Sequence, residues 1–336
     1  MMIDQLFVKK YGPKAASLLY LQELGLFQKK MFLVPSLISE EEFYSTMKKH
    51  GFTDTPFGIR FSPQQAMLGV KSKHKITSWK EGYYFLKAHL YQGTAIIQEH
   101  TDPEFMGTLY FGTEKAVINL VPGTWATSAW DCCDIIEIIG DQIDYYRYTL
   151  EREALYGNSE GFFPKKVKAL SPAKIKRLVK VLQRLWPSLE LLRVKGRMLE
   201  FILDKKLQFL GMELKESAGE VPLFAEGFVD GVNGGVKGLF TINHFGDFQQ
   251  WDQKQDLLIA LKLGRNIPAE FIHMLGKIKK YKSSVYVKYG LLSHPAILIR
   301  EQGLETKQYA QHYEKLVFDK IADRITPKMT VRKENL

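Results

Sequence analysis

Residues 289–303 read YGLLSHPAILIREQG, and this stretch says most about how the chain folds. It predicts the end of a strand that covers residues 282–289, a sharp turn at Gly290, and a helix that begins at Ser293-His294-Pro295 and ends at Gly303. The N-terminus of a helix has free N–H groups and a positive dipole end, so an anion is favoured beside His294. A histidine there stays neutral, as a nucleophile must. The alternative is a histidine that caps the helix or packs on a turn.

The preceding sequence predicts mixed α/β structure. Gly12-Pro13-Lys14 opens a helix that stops at Gly25, and Ser171-Pro172 opens a longer amphipathic helix. A hairpin follows, with strands over residues 198–203 and 207–210. Residues 57 to about 123 are predicted to form strands joined by polar turns, because their apolar runs are short and β-branched. Such runs occupy residues 95–98, 108–111 and 116–121.

The length of 336 residues, 45% of them hydrophobic, allows about two domains with buried cores. Residues 216–222 are predicted to form the linker, and residues 227–238 to form turns between short strands. Two such domains leave no room for an α/β barrel of about 250 residues. The net charge of +10, from 47 basic and 37 acidic residues, favours anionic partners without choosing among them.

Composition also predicts where the protein works. No apolar run approaches the ~18 residues of a membrane span, and the first residues lack a signal pattern. Two adjacent cysteines make no disulfide framework, so we expect a cytoplasmic protein. Cys132-Cys133, between two aspartates, lacks the spacing of zinc sites, and core packing is favoured over metal binding. Residues 165–180 carry seven basic residues and no acid, which fits a solvated helix face better than nucleic-acid binding.

The stretch quoted first resembles the motif Gly-Gly-x-Thr-Ser-His-Ala-Ala-Ile-x-Ala-Arg-Glu-x-Gly. This motif belongs to the swivelling phosphohistidine domain of phosphoenolpyruvate synthase, pyruvate phosphate dikinase and rifampin phosphotransferase. The matching positions are Gly290, Ser293, His294, Ala296, Ile297, Arg300, Glu301 and Gly303. The resemblance implies that His294 carries a phosphoryl group. After the motif the sequence departs from the family, and we expect a charged, helical tail.

The N-terminal part is similar to the ATP-grasp-like ATP-binding domain of the same enzymes. Residues 12–18, GPKAASL, resemble the family's Gly-Gly-Lys-x-Ala-Asn-Leu, and residues 59–62, IRFS, resemble Val-Arg-Ser-Ser. The resemblance implies that Lys14 and Arg60 contact the phosphates of ATP. It also implies that Gln98 and Glu99 lie at the hinge that contacts adenine. The alternative for Lys14 is a surface lysine in a first helical turn.

The predicted hairpin resembles the family's metal-binding element, Asp-Ile-Glu-Trp-Ala, a turn, and Leu-Gln-Ala-Arg-Pro. Glu200 matches the glutamate that binds metal. The glutamine and the arginine are replaced by Gly211 and Glu213. Glu213 can join Glu200 as a ligand of Mg²⁺, since carboxylates suit hard cations, but it cannot replace a phosphate-binding arginine.

These similarities together imply a protein of the α/β (α+β) fold class. An ATP-grasp-like domain would cover residues 1–216, and a small swivelling phosphohistidine β/α domain residues 217–336. The implied function is an ATP- and Mg²⁺-dependent phosphotransferase that forms phosphohistidine at His294 and releases AMP and phosphate. The acceptor would be a small molecule or belong to a partner protein. The departures at Gly211 and Glu213 favour the alternative, a catalytically inactive nucleotide-binding or regulatory relative.

Overall fold

The structure is a computed structural model, and the part of the chain that it describes has the mixed α/β architecture that the sequence predicts. The described residues are 5–27, 29–64, 70–112, 115–122, 133–139, 142–148, 152–157, 162–167, 171–191, 197–203, 207–212, 239–253, 255–261, 263, 267–281, 283–288, 290, 292–309 and 313–319.

The helices and strands are numbered in chain order. The helices are α1 (Gln5–Tyr11), α2 (Pro13–Glu23), α3 (Glu40–Lys49), α4 (Trp79–His89), α5 (Pro172–Leu191), α6 (Ala269–Ile278) and α7 (His294–Glu301). The strands are β1 (Met31–Val34), β2 (Phe57–Ser62), β3 (Ser72–Ile76), β4 (Thr94–Glu99), β5 (Phe105–Phe111), β6 (Lys115–Pro122), β7 (Asp134–Ile139), β8 (Gln142–Tyr148), β9 (Arg152–Gly157), β10 (Phe162–Val167), β11 (Arg197–Leu203), β12 (Leu207–Met212), β13 (Phe240–Ile242), β14 (Leu257–Ile259), β15 (Val285–Val287), β16 (Thr306–Gln308) and β17 (Tyr313–Asp319).

The chain divides into two compact units, each assembled from separate segments. Unit 1 comprises Met1–Glu104, Leu155–Lys165 and Leu199–Lys215. Unit 2 comprises Phe105–Ala154, Lys166–Met198 and Glu216–Leu336. The predicted domain boundary after residue 216, the predicted linker and the glycine-rich segment lie in residues 213–238, outside the described residues. These domain limits stay a prediction.

Unit 1 is built on an antiparallel sheet with the strand order β1-β4-β2-β3. One face of this sheet packs against α3 and α4 through a continuous apolar core. Because side chains alternate along a strand, the opposite face receives Gly58, Arg60 and Ser62 from β2 and Gln98 from β4. This second face therefore carries the polar side chains.

Helix α4 corrects the prediction that residues 57–123 form strands only. Its sequence is rich in aromatic residues, which are common in strands. However, Gly82, Tyr83 and Leu86 are buried at helical spacing against the sheet, and burial of that stripe determines the structure. The three apolar runs of the same segment lie in β4, β5 and β6, as predicted.

The predicted hairpin is confirmed in β11 and β12, which pair antiparallel. Glu200 lies opposite Gly211, and the register shifts between Glu200 and Phe201. Within unit 1, α2 packs against β12. The N-terminal helix and the hairpin are thereby neighbours.

Unit 2 contains an antiparallel run of strands in the order β5-β6-β7-β8-β17. The pairing of β17 with β8 corrects the expectation of a helical tail, because Tyr313–Asp319 adds an edge strand to this sheet. The predicted helix α5 begins at Pro172, and Ile175, Leu178, Val179 and Leu182 are buried along one face. Lys174, Arg177, Lys180 and Arg184 are exposed on α5.

A parallel four-stranded sheet, β13-β14-β15-β16, forms the other part of unit 2. Helices α6 and α7 connect its later strands and cover a shared apolar core. Strand β15 lies within the predicted strand, and α7 begins at the predicted histidine. The helix ends before Gly303, whose φ of +74° suits glycine. That this part of unit 2 is a swivelling phosphohistidine domain stays a prediction.

A search of the described helices finds none that is long and apolar enough to cross a membrane.

Candidate functional site

Three of the predicted site residues come together in unit 1 from distant parts of the sequence. Lys14 lies in the first turn of α2, Arg60 in the middle of β2 and Glu200 on β11. Burial lowers the pKa of Lys14, the Arg60 charge lowers it further, and the Glu200 carboxylate opposes both. Burial also lowers the pKa of Arg60, again against Glu200. The three charges therefore act on one another as one cluster.

Contacts at Ser62 hold the start of α2 against the end of β2. The Ser62 hydroxyl accepts a hydrogen bond from the Ala15 amide at 3.0 Å, which satisfies a free N–H of the first turn. Gly12 precedes the helix with φ of +79°, and a Cβ there would lie 2.5 Å from the carbonyl oxygen of Ser62. Only glycine allows this approach. Lys14 is thus fixed close to the strand that carries Arg60.

Lys14 is not the exposed surface lysine of the alternative interpretation. Its side chain is only partly exposed, and its position at a helix N-terminus is electrostatically unfavourable for a cation. Arg60 is also partly exposed, and in the sheet it lies opposite Ile96 of β4. Two cations held at this place are suited to an anionic ligand.

The side chain of Glu200 lies beside Gly211, the residue opposite it in the hairpin. A Cβ at Gly211 would meet the Oε2 atom of Glu200 at 3.5 Å, an ordinary contact, and no other atom of the described residues within 4 Å. The position therefore has space for a side chain that this protein lacks. Glu213, the second predicted metal ligand, lies outside the described residues.

The described residues contain no cluster of three or more histidine, cysteine, aspartate or glutamate side chains that could hold a metal ion. Magnesium in nucleotide sites is commonly held by one or two carboxylates together with the substrate's phosphates. Glu200, beside Lys14 and Arg60, fits that donor set. A role for Glu200 and Glu213 in binding Mg²⁺ stays a prediction.

Gln98 lies on the same sheet face as Arg60, opposite Gly58. Its side chain is 5% exposed, and its Oε1 atom has no hydrogen-bond partner in the described part of the chain. An unpaired buried acceptor costs about 1–3 kcal/mol, so a donor from a ligand would stabilise it. The exocyclic amine of adenine is such a donor. Glu99, the next residue, is partly exposed and donates its amide to the carbonyl of Lys30.

Lys29 is a residue of this site that sequence reasoning missed. It is 7% exposed, and its Nζ atom donates to the carbonyl oxygen of Glu99 at 3.5 Å. Burial and, to a smaller extent, the Arg60 charge together lower the pKa of Lys29 to about 8, while Glu99 acts in the opposite direction. The sequence shows two adjacent lysines before β1, and only the fold reveals that Lys29 is buried whereas Lys30 is exposed.

His294 belongs to unit 2 and is the first residue of α7. Ser293 caps this helix, and its hydroxyl accepts a hydrogen bond from the Ala296 amide at 3.4 Å. The backbone of His294 is therefore at a helix N-terminus, as predicted, while its side chain lies outside the described structure. Its role as a nucleophile stays a prediction.

Other residues of the same motif anchor the turn and the helix within unit 2. A Cβ at Gly290 would overlap the Asn119 amide and lie 2.5 Å from the Cys133 sulfur, so any other residue there would have to displace these two buried side chains. Arg300 is 9% exposed. Burial lowers the pKa of Arg300 to about 10, with Tyr110 opposing. The motif stretch is thus packed closely on the antiparallel strands.

The cysteine pair is described only in part, because Asp131 and Cys132 lie outside the described residues. Cys133 is buried, and the Asp134 carboxylate accepts a hydrogen bond from the Tyr145 hydroxyl at 2.9 Å. These contacts are those of a packed interior. They favour the core-packing interpretation over a metal site.

No protein-family model matches the chain, and no curated protein matches it. Solved structures that resemble part of it include D-alanine–D-alanine ligase from Bacillus anthracis, with 12% identity over 60% of this chain and 56% of that one, TM-score 0.33. D-alanyl-alanine synthetase A from Vibrio cholerae matches with 10% identity over 61% and 55%, TM-score 0.36. N5-carboxyaminoimidazole synthetase from Staphylococcus aureus, complexed with ADP, matches with 10% identity over 63% and 46%, TM-score 0.35.

The chain spans about half the length of these solved structures. At TM-scores of 0.33 to 0.36 the overlaps carry no argument about this chain.

Proposed function

We propose that the protein is an ATP-dependent phosphotransferase that works through a phosphohistidine at His294. Unit 1 would bind ATP, with Lys14 and Arg60 on the phosphates, Glu200 and Glu213 on Mg²⁺, and Gln98 and Glu99 near adenine. The observation that supports this most is the convergence of Lys14, Arg60 and Glu200 into one charge cluster. These are the residues that the family resemblance nominates from three separate motifs.

The chemistry follows from the resemblance to dikinases. The neutral imidazole of His294 attacks the β-phosphorus of ATP, and a P–N bond forms as the bond to the α–β bridging oxygen breaks. AMP leaves, and water then releases the γ-phosphate as inorganic phosphate. The phosphoryl group remaining on His294 passes to an acceptor, which we propose is a small molecule or is supplied by a partner protein. Mg²⁺ would neutralise charge on the phosphates.

The test uses ATP labelled at either the β- or the γ-phosphate, with Mg²⁺ and the purified protein. We expect acid-labile, base-stable label on the protein from β-labelled ATP, together with AMP. His294→Ala should abolish the labelling. His273→Ala, an exposed histidine on α6, is the matched control and should label normally. Undiminished labelling of His294→Ala would contradict the proposal.

The second candidate is a nucleotide-binding or regulatory protein without turnover. The missing side chain at Gly211, opposite Glu200, is the observation in its favour, because a catalytic family member has a metal-binding glutamine there. ATP binding by calorimetry, combined with no AMP and no labelled histidine, would support this candidate against the first.

The nature of the phosphoryl acceptor and the location of the protein in the cell are likewise proposals. A cytoplasmic location is part of the proposal, because the two adjacent cysteines of the sequence do not make a disulfide framework. Mass spectrometry of the nucleotide products, with candidate acceptors added one at a time, would identify the substrate class. An acceptor should increase AMP release.

A further inference from the structure

The environment of the Lys29 ammonium group favours an anionic ligand. Its only described hydrogen bond is the long one, 3.5 Å, to the Glu99 carbonyl. An ammonium group has three donors, and burying it without partners is unfavourable. Lys29 is nevertheless 7% exposed. The fold therefore holds a cation with unused donor capacity away from bulk water.

The charges around Lys29 further favour the binding of an anion. Arg60 on β2 repels it, and Glu99 at the end of β4 attracts it. His100, the next residue, feels the Lys29 charge as well: burial lowers the pKa of His100, with Lys29 and Lys75 adding to the effect and Asp102 opposing it. The charges that act on Lys29 thus come from β2 and β4, and the cationic one is the Arg60 guanidinium, which also acts on Lys14.

Arg60 links two lysines that lie far apart in the sequence, since it acts on Lys14 and on Lys29. Three cations share this part of unit 1 with the carboxylates of Glu200 and Glu99. Cations that are close together and shielded from water destabilise the ligand-free protein. A polyphosphate, with several negative charges along one chain, would relieve that repulsion and supply acceptors.

We propose that Lys29 is an additional phosphate-binding residue of the nucleotide site and that it binds polyphosphate only as the protonated ammonium. This inference rests on the proposed function, because it assigns a further contact within the same site. Lys29 is not part of the family motifs that nominate Lys14, Arg60 and Glu200.

Proton uptake then accompanies binding. With its pKa at about 8, Lys29 is charged at pH 7 and mostly neutral at pH 9. An anion that requires the charged form binds more weakly as the pH rises past 8, by up to about tenfold per pH unit. The guanidinium of an arginine stays charged at both pH values, so Lys29→Arg should lose less affinity than the wild type, and any remaining loss is due to Lys14, whose pKa is also lowered.

The experiment compares ATP, tripolyphosphate and adenosine by titration calorimetry at pH 7 and pH 9. Lys29→Met removes the charge with little change of shape, and Lys30→Met is the matched control because Lys30 is exposed. At pH 7 we expect Lys29→Met to bind ATP and tripolyphosphate at least about tenfold more weakly than the wild type, as loss of a charged contact implies. Adenosine should bind equally to both, which also reports an intact fold.

We further expect the affinity of the wild type for ATP to fall more between pH 7 and pH 9 than the affinity of Lys29→Arg, which retains only the pH dependence of Lys14. Equal ATP binding by the wild type and Lys29→Met would overturn the Lys29 proposal and leave the proposed function standing. A wild type that binds neither ATP nor tripolyphosphate would overturn both. The two failures are therefore distinguishable.

Discussion

Lys29 shows that a residue of the binding site can lower the stability of the folded protein. Its pKa is about 8 in the folded protein, against 10.5 for an unperturbed lysine. The unfolded chain therefore binds the proton more tightly than the folded one. This difference lowers the free energy of unfolding. The destabilisation is fully present below pH 8 and disappears as the pH rises through 10.5. At about 1.4 kcal/mol per pKa unit, it amounts to about 3 kcal/mol at pH 7.

We predict that Lys29→Met unfolds at higher urea concentration than the wild type at pH 7. The difference should shrink by about 2 kcal/mol between pH 7 and pH 10, because deprotonation of Lys29 removes the destabilisation from the wild type, whereas methionine has none at either pH. Urea titrations at the two pH values measure this. If Lys29 instead served to hold the fold together, the methionine variant would be the less stable protein at pH 7.

At the scale of elements, the site depends on how α2 is attached to β2. The contact is close because Gly12 brings the backbone over Ser62, and the Ser62 hydroxyl completes the first turn of the helix. Lys14 is two residues beyond Gly12, and Arg60 is two residues before Ser62. The same junction therefore sets the positions of both side chains.

We predict that Gly12→Ala destabilises the protein by at least about 2 kcal/mol, since the added Cβ is both strained at positive φ and too close to Ser62. ATP binding should weaken as well, because Lys14 would move with the helix. Gly25→Ala is a useful control, because its φ is also positive but a Cβ there meets no atom of the described part of the chain within 4 Å. Comparable losses in both variants would show that strain alone, without the Ser62 contact, is responsible.

At the scale of the whole molecule, the nucleotide site depends on a unit assembled from separate chain segments. Lys14, Arg60 and Lys29 come from the first segment of unit 1, and Glu200 comes from the last. The hairpin reaches unit 1 only after the chain has passed through the antiparallel strands and α5 of unit 2. A ligand bound by this cluster must therefore connect residues almost 190 positions apart in sequence.

We predict that ATP with Mg²⁺ slows amide hydrogen exchange at the same time in peptides from α2, β2 and β11. Peptides from the parallel sheet of unit 2 serve as the internal reference, with AMP in place of ATP as the ligand control. Protection that is confined to the first segment would argue against a role for Glu200. Mass spectrometry of peptic fragments resolves these regions separately.

The sequence predicts those elements whose ends carry local signals. Proline after glycine or serine marks the starts of α2 and α5, and serine before histidine marks α7. Helix α4 and strand β17 were mispredicted because their aromatic and charged residues suit either state, and packing against a sheet decides. Lys14, Arg60 and Glu200 were nominated through resemblance. Lys29 was not, because no local pattern distinguishes it from Lys30.

The junction at Ser62 also bears on the kinetics of the proposed binding. Arg60 lies within a paired strand and Lys14 on a helix hydrogen-bonded to that strand, so both are positioned before any ligand arrives. A polyphosphate would then lose its own freedom on binding without also having to order these backbone segments. Association of ATP should accordingly be fast and sensitive to ionic strength, and differences among phosphate-site variants should lie mainly in the dissociation rate.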